Sequence, residues 1–128
     1  MNNDVTNPVD KVSVYIAAGL VSGCGALMFN IMPVFVGALA DAFKLSESEL
    51  GDIVAGFNIA FTIVAISSLV WVRRFNWRAM SFISVAIAAI SLLAMTLASG
   101  NPAILLLTAC VGLGMGALYA LIMAILGD

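Results

Sequence analysis

The sequence contains no histidine and only two cysteines, and both shortages restrict the chemistry available to it. Without histidine there is neither an imidazole ligand for zinc nor a histidine base for a nucleophilic serine or cysteine. Cys24 and Cys110 both fall inside apolar runs, where a thiol behaves as a small hydrophobic side chain. We therefore expect no disulfide, no bound metal, no cofactor and no enzymatic activity.

Charged residues are also scarce. Only 9% of the 128 residues are Asp, Glu, Lys or Arg, whereas a soluble domain carries about a quarter. Hydrophobic residues make up 63% of the chain, and the mean hydropathy is +1.16. A water-soluble core of this length has too little interior to hide so much apolar surface, but a lipid bilayer accepts it. The composition predicts an all-α, polytopic membrane helix bundle with the lipid bilayer as its partner.

Three of the five cationic residues lie in one short segment, as Arg73, Arg74 and Arg78. An arginine at the centre of a bilayer costs at least ~2.5–3.5 kcal/mol on insertion scales, so three cannot be buried there unpaired. An excess of Lys and Arg in a short loop marks the cytoplasmic side, and the flanking Trp71 and Trp77 suit the headgroup zone. We expect this loop to set the topology and to have a gating role. It is the only basic cluster, and a membrane-flanking turn explains it better than nucleic-acid binding.

Four apolar runs follow a polar tail at residues 1–10, and they predict transmembrane helices at about residues 11–40, 47–72, 79–99 and 102–126. The tail lacks the basic start of a secretory signal. Ser46 and Glu49 have the spacing of a capping box at the start of the second helix. Asn101 suits the N-cap position of the fourth helix, and Pro102 suits its first helical position. Four crossings place both termini in the cytoplasm, and a prokaryotic inner (plasma) membrane is the expected location.

Small residues recur at helical spacing in the first and last apolar runs. Gly19 and Gly23 form one small-xxx-small pair, and Gly112 and Gly116 form another. In membranes such pairs let two helix backbones approach closely. We predict helix packing at both positions.

Asn30, Asn58 and Thr62 lie on stripes of small and polar residues in the first two helices, and Tyr119 lies in the fourth. A neutral amide in a membrane commonly bonds to a neighbouring helix, but the same group can also face an internal cavity. Both interpretations stay open. In the second, these four residues are the candidates for hydrogen bonding to a polar substrate near the midplane.

The order of these features resembles the first four transmembrane helices of a major facilitator superfamily transporter. Residues 45–51, LSESELG, resemble the family's start of helix 2. The arginine loop occupies the place of the signature G-x-L-A-D-R-F-G-R-R. Residues 112–119, GLGMGALY, resemble the family's R-x-x-x-G-x-G-x-G stretch in helix 4. The resemblance spans almost the whole chain and implies a secondary carrier working by alternating access, whose helices 1, 2 and 4 border the cavity.

The sequence departs from the family pattern at two charged positions. Alignment of the R-F dipeptide places Arg73 at the family's Asp, and the family's helix-4 Arg falls on Thr108. The family typically has twelve helices built from inverted repeats, with the substrate cavity between two halves. We therefore expect a fragment or a truncated reading frame, whose partners are the missing remainder of the carrier and an unidentified small-molecule substrate.

Two other functions fit a four-helix membrane protein. One is a self-contained oligomeric exporter, a class that relies on an acidic residue in its first helix, and none lies within that helix here. The other is a structural or assembly subunit whose small-xxx-small faces hold partner helices. The sequence predicts no nucleic-acid partner for any of the three.

Overall fold

The computed structural model describes the backbone of residues 8–72 and 74–126 and most of their side chains. It contains four α-helices and no strand within these ranges: α1 Pro8–Phe43, α2 Glu47–Trp71, α3 Trp77–Met95 and α4 Asn101–Leu126. The predicted all-α class is confirmed. Arg73, the side chain of Cys24 and most of the predicted polar tail lie outside the described residues.

The turn between α1 and α2 is closed by the predicted capping box. Ser46 Oγ accepts a hydrogen bond from the Glu49 backbone N–H at 3.4 Å, and the Ser46 N–H donates to Glu49 Oε2 at 2.8 Å. The Ser46 hydroxyl and the Glu49 carboxylate thus each accept from a backbone N–H that has no partner within the first turn of the helix. Lys44, with φ 55°, takes the left-handed conformation that reverses the chain after α1. The start of α2 at Glu47 is therefore as predicted from local sequence.

The start of α4 differs from the prediction. Asn101 is the first helical residue and does not cap the helix, since its Oδ1 is buried and accepts no hydrogen bond. Its side-chain amide donates instead to Glu49 Oε1 at 2.8 Å, across 52 residues of sequence. Gly100 precedes it with φ 100°, a conformation that a residue without Cβ adopts easily. The predicted cap is wrong because the amide has a charged partner in another turn.

Helix α3 ends at Met95, before the predicted end at Ser99. The N–H groups of Thr96 and Leu97 each bond to a carbonyl three residues earlier, at 3.1 Å, so the last turn tightens and stops. This leaves a short connection to Gly100 outside the helix.

Helix α4 is the centre of the bundle. It packs against α1, α2 and α3, whereas α3 has no described contact with α1 or α2. Its buried side chains cover several faces of the helix, among them Ile104, Val111, Leu118 and Leu121. A helix that is apolar all round is expected in this position.

Glycines allow α4 to approach both of its main neighbours. A Cβ at Gly112 would lie 2.5 Å from the Phe57 carbonyl oxygen, and a Cβ at Gly116 would lie 2.7 Å from that of Phe61. On another face, a Cβ at Gly114 would lie 2.7 Å from the Ser84 carbonyl oxygen. These distances are shorter than any side-chain carbon tolerates, so α2 and α3 pack on bare backbone.

The other predicted packing pair lies on the outside. A Cβ at Gly19 or Gly23 would meet no atom within 4 Å. Among the described residues, α1 makes its contacts in its second half, where Leu39 is buried with Ile53 of α2 and Ile104 of α4. The first half of α1 extends away from this core and leaves Tyr15 and Leu20 exposed.

Large apolar side chains cover the outer faces of the bundle. Leu69 is 83% exposed, Phe82 79% and Leu97 85%. In water each of these side chains would forgo most of the ~1.5–3 kcal/mol that its burial provides. An apolar solvent such as the lipid interior therefore fits these faces better than water. Three helices, α2, α3 and α4, are long and apolar enough to cross a membrane, which supports an integral membrane protein.

Candidate substrate groove

An open groove of about 400 Å³ lies between α1 and α2. Its wall is formed by six residues, of which five are apolar and one is an amide: Phe29, Met32, Pro33, Val36, Val54 and Asn58. Proline within α1 removes one helical N–H and its ring takes part in the wall. The groove has the apolar lining with few polar groups that is typical of small-molecule sites.

Asn58 is the polar group in this wall. Its Nδ2 donates one N–H to the Val54 carbonyl oxygen at 2.9 Å, which leaves Oδ1 and the second N–H for other partners. Thr62 lies one turn further along the same exposed stripe, and its Oγ1 donates to the Asn58 carbonyl oxygen at 2.7 Å. The two residues are therefore joined on α2, but Thr62 is not part of the groove wall.

Asn30 and Tyr119 lie outside this wall. The Asn30 amide donates to the Ala26 carbonyl oxygen of its own helix at 3.0 Å, and the residue is exposed. The Tyr119 ring packs against Phe61, with 5.7 Å between ring centroids. Of the four candidates, the groove includes Asn58 alone, and no described hydrogen bond joins α1 to α2 through them.

An aromatic cluster beside the groove was not predicted. The Phe29 ring of α1 makes edge-to-face contacts with Phe57 and Phe61 of α2, at centroid distances of 6.0 and 5.0 Å. Tyr119 of α4 extends the cluster beyond Phe61. Such pairs contribute about 0.5–1.5 kcal/mol beyond their buried area. The spacing of four between Phe57 and Phe61 was the available signal, because it places both rings on one face of a helix.

The cluster joins three helices at the groove. Phe29 belongs both to the groove wall and to the aromatic cluster, so α1 is held against α2 by rings rather than by polar bonds. Direct contact between α1 and α2 is otherwise slight. A ring contact of this kind can slide or part without breaking a hydrogen bond.

The loop between α2 and α3 exposes its cations. Arg74 and Arg78 are both exposed, and Asn76 Oδ1 accepts a hydrogen bond from the Arg78 backbone N–H at 3.0 Å, which caps α3. The Arg78 guanidinium carbon lies 5.3 Å from the centroid of the Trp77 ring, within the range of a cation–π contact. The third cation of the predicted topology loop, Arg73, lies outside the described residues.

Among the side chains that the structure describes, no three of His, Cys, Asp or Glu lie close enough together to hold a metal ion. Cys110 is a free thiol on α4.

The features that remain are a groove with one exposed amide, an aromatic cluster and a basic loop. Comparison with known proteins adds no further constraint, since no family model, no curated protein and no solved structure matches the chain.

Proposed function

We propose that the chain is the N-terminal part of a membrane carrier of the major facilitator type, which moves a small molecule by alternating access. In this proposal α1 is a fourth transmembrane helix, both termini face the cytoplasm, and the membrane is a prokaryotic inner membrane. The groove between α1 and α2 is one wall of the substrate cavity. The remainder of the carrier supplies the opposite wall.

The groove is the observation that carries the proposal. It combines five apolar residues with one amide, and it lies between α2, which is long and apolar enough to cross a membrane, and the apolar second half of α1. A groove that opens on the side of the bundle suits a cavity wall, because the remaining helices of a carrier would close it. The direct contact between α1 and α2 is slight, which suits two helices that must change their packing during transport.

The chemistry of the groove favours a neutral substrate. The sequence has no acidic or basic residue between Asp52 and Arg73, so this part of α2 offers no counter-ion for a charged molecule. Asn58 Oδ1 is a hydrogen-bond acceptor, and the amide keeps one N–H donor that does not bond to Val54. A small, largely apolar molecule with one neutral hydrogen-bonding group therefore fits best.

Uptake measurements test this function. Membrane vesicles from cells that express the complete reading frame containing this chain would be offered a panel of neutral metabolites, with accumulation followed by mass spectrometry. We expect wild-type vesicles to accumulate at least one of them and Asn58→Leu vesicles to lose most of that uptake, because the leucine removes the acceptor. Ile59→Leu, at the neighbouring exposed position, is the control for insertion and expression. If vesicles that lack the protein accumulated every compound of the panel as well as wild-type vesicles do, the proposal would be refuted.

An assembly subunit is the second candidate, and the open face of Gly19 and Gly23 favours it. Small residues with no neighbour within 4 Å in the described part of the chain suit contact with a helix of another protein. Gly23→Leu separates the two functions. If the variant loses a co-purifying partner and keeps its uptake, the result would support assembly at this face. If it loses uptake while the same proteins co-purify, the result would support the carrier.

A further inference from the structure

The loop between α2 and the first turn of α3 is an amphipathic surface that faces outward. It contains two exposed arginines, Arg74 and Arg78, and two exposed aromatic side chains, Phe75 at 59% and Trp77 at 42%. We call these four residues the basic–aromatic surface. It presents cations and rings together on one exposed segment.

No described acidic residue of α2, α3 or α4 lies near these cations. The sequence has no Asp or Glu between Asp52 and Asp128, so α3 and α4 contain none. Asp52 is the nearest acidic residue on α2, and the 19 residues to Trp71 place it about 28 Å away at 1.5 Å per residue. That distance exceeds the Debye length of about 8 Å at physiological ionic strength. The other acidic side chains near the chain ends, Asp4, Asp10 and Asp128, lie outside the described residues.

The side chains of the surface are ordered by local contacts. The Trp77 ring holds the Arg78 guanidinium at 5.3 Å, and Asn76 holds the Arg78 backbone at 3.0 Å. Trp71, by contrast, donates its Nε1–H to Ser67 Oγ at 3.1 Å and is satisfied within α2. Of the two tryptophans, Trp77 is therefore the one whose indole is available for contact with lipid headgroups.

We propose that the basic–aromatic surface binds the phosphate headgroup of an anionic phospholipid. Guanidinium groups match phosphate oxygens in charge and geometry, and each cation near an anionic membrane surface strengthens binding. The exposed rings distinguish a lipid from free phosphate, because they rest at the boundary between headgroups and acyl chains. The inference depends on membrane insertion and is independent of what the protein transports.

Lipid retention in native mass spectrometry tests the proposal on the full 128-residue chain. The protein would be extracted into detergent that contains equal amounts of phosphatidylglycerol and phosphatidylcholine. The variants are Arg74→Gln/Arg78→Gln and, as a matched control, Lys44→Gln, which removes an exposed cation from the other end of α2. Both variants would be checked for monodispersity by size-exclusion chromatography.

We expect the wild type and Lys44→Gln to retain phosphatidylglycerol selectively. The double variant should lose about 30-fold in selectivity, which corresponds to about 2 kcal/mol for two cations at an anionic surface. Raising the ionic strength should weaken the wild-type selectivity as well. Equal retention by all three proteins would overturn the proposal. Displacement of the lipid by an equal concentration of inorganic phosphate would overturn it too, since the rings would then add nothing.

Discussion

The Glu49 carboxylate joins two turns that lie 52 residues apart, because its Oε1 accepts a hydrogen bond from the Asn101 side-chain amide at 2.8 Å. The other oxygen, Oε2, accepts from the Ser46 backbone N–H and hydroxyl, both at 2.8 Å. One carboxylate thus caps α2 and holds the start of α4 beside it. The two helices with the most extensive contact in the bundle are fixed at one end by a single polar group.

The first prediction concerns this junction. Asn101→Ala removes a hydrogen bond to a charged group that is partly open to solvent, so we expect a loss of about 1 kcal/mol in stability. Asn101→Asp should cost more, since it places a second carboxylate against Glu49. Thermal unfolding in detergent measures both. Ser99→Ala, at an exposed position of the same turn, is the control. An Asn101→Asp protein as stable as the control would show that the junction contributes nothing.

The second prediction concerns the approach of α4 to α2. Gly112→Ala puts a methyl group 2.5 Å from the Phe57 carbonyl oxygen, so the helices must separate. We expect a loss of about 1–3 kcal/mol, as for other overpacked sites, seen as a lower unfolding temperature in detergent. Gly51→Ala is the matched control, because a Cβ there meets nothing within 4 Å. If Gly112→Ala and Gly51→Ala unfolded at the same temperature, α2 and α4 would not be in contact at Gly112.

The third prediction concerns topology. In a background in which Cys24 and Cys110 are alanine, a membrane-impermeant maleimide should label Ser48→Cys in intact cells. Phe75→Cys should be labelled only after permeabilisation, because an excess of arginine in a short loop favours the cytoplasmic side. Both positions are exposed. Labelling of Phe75→Cys from outside, with Ser48→Cys protected, would reverse the orientation of every helix.

The fourth prediction concerns Thr108, the position where the family resemblance expects an arginine. Thr108 is fully buried and its Oγ1 donates to the Ile104 carbonyl oxygen at 2.8 Å. Thr108→Arg would bury an unpaired charge at a cost of at least ~2.5–3.5 kcal/mol, so we expect little monodisperse protein after extraction. Thr108→Ser keeps the hydroxyl and should behave as wild type on size-exclusion chromatography. A well-behaved arginine variant would mean that this position can open to a polar space.

Features set by neighbouring residues were predictable from the sequence. The spacing of Ser46 and Glu49 determines the capping box, and the apolar runs determine four helices, because both depend on contacts within a few residues. The serines of α3 also behave locally: Ser81 and Ser84 donate to carbonyl oxygens four residues earlier, at 2.8 Å each. This is the back-bonding expected of hydroxyls inside a helix.

Features that depend on tertiary packing were not predictable. Asn101 has the residue type of a cap, but a carboxylate 52 residues away takes its amide. Asn30 and Asn58 both stand in a Phe-Asn-Ile tripeptide, yet only Asn58 lines the groove, because that depends on how α1 is rotated against α2. The aromatic cluster was missed for the same reason, since Phe29 and Phe61 meet only once α1 is packed against α2.

The central place of α4 has a consequence for biosynthesis. The ribosome delivers α1, α2 and α3 first, yet α3 has no described contact with either of the other two. Until the fourth helix leaves the translocon, the earlier segments have few lasting neighbours among themselves and are exposed to quality-control proteases. Arrival of α4 converts loosely held segments into one bundle, so a nascent chain stalled before Asn101 should be degraded much faster than one stalled beyond Leu126.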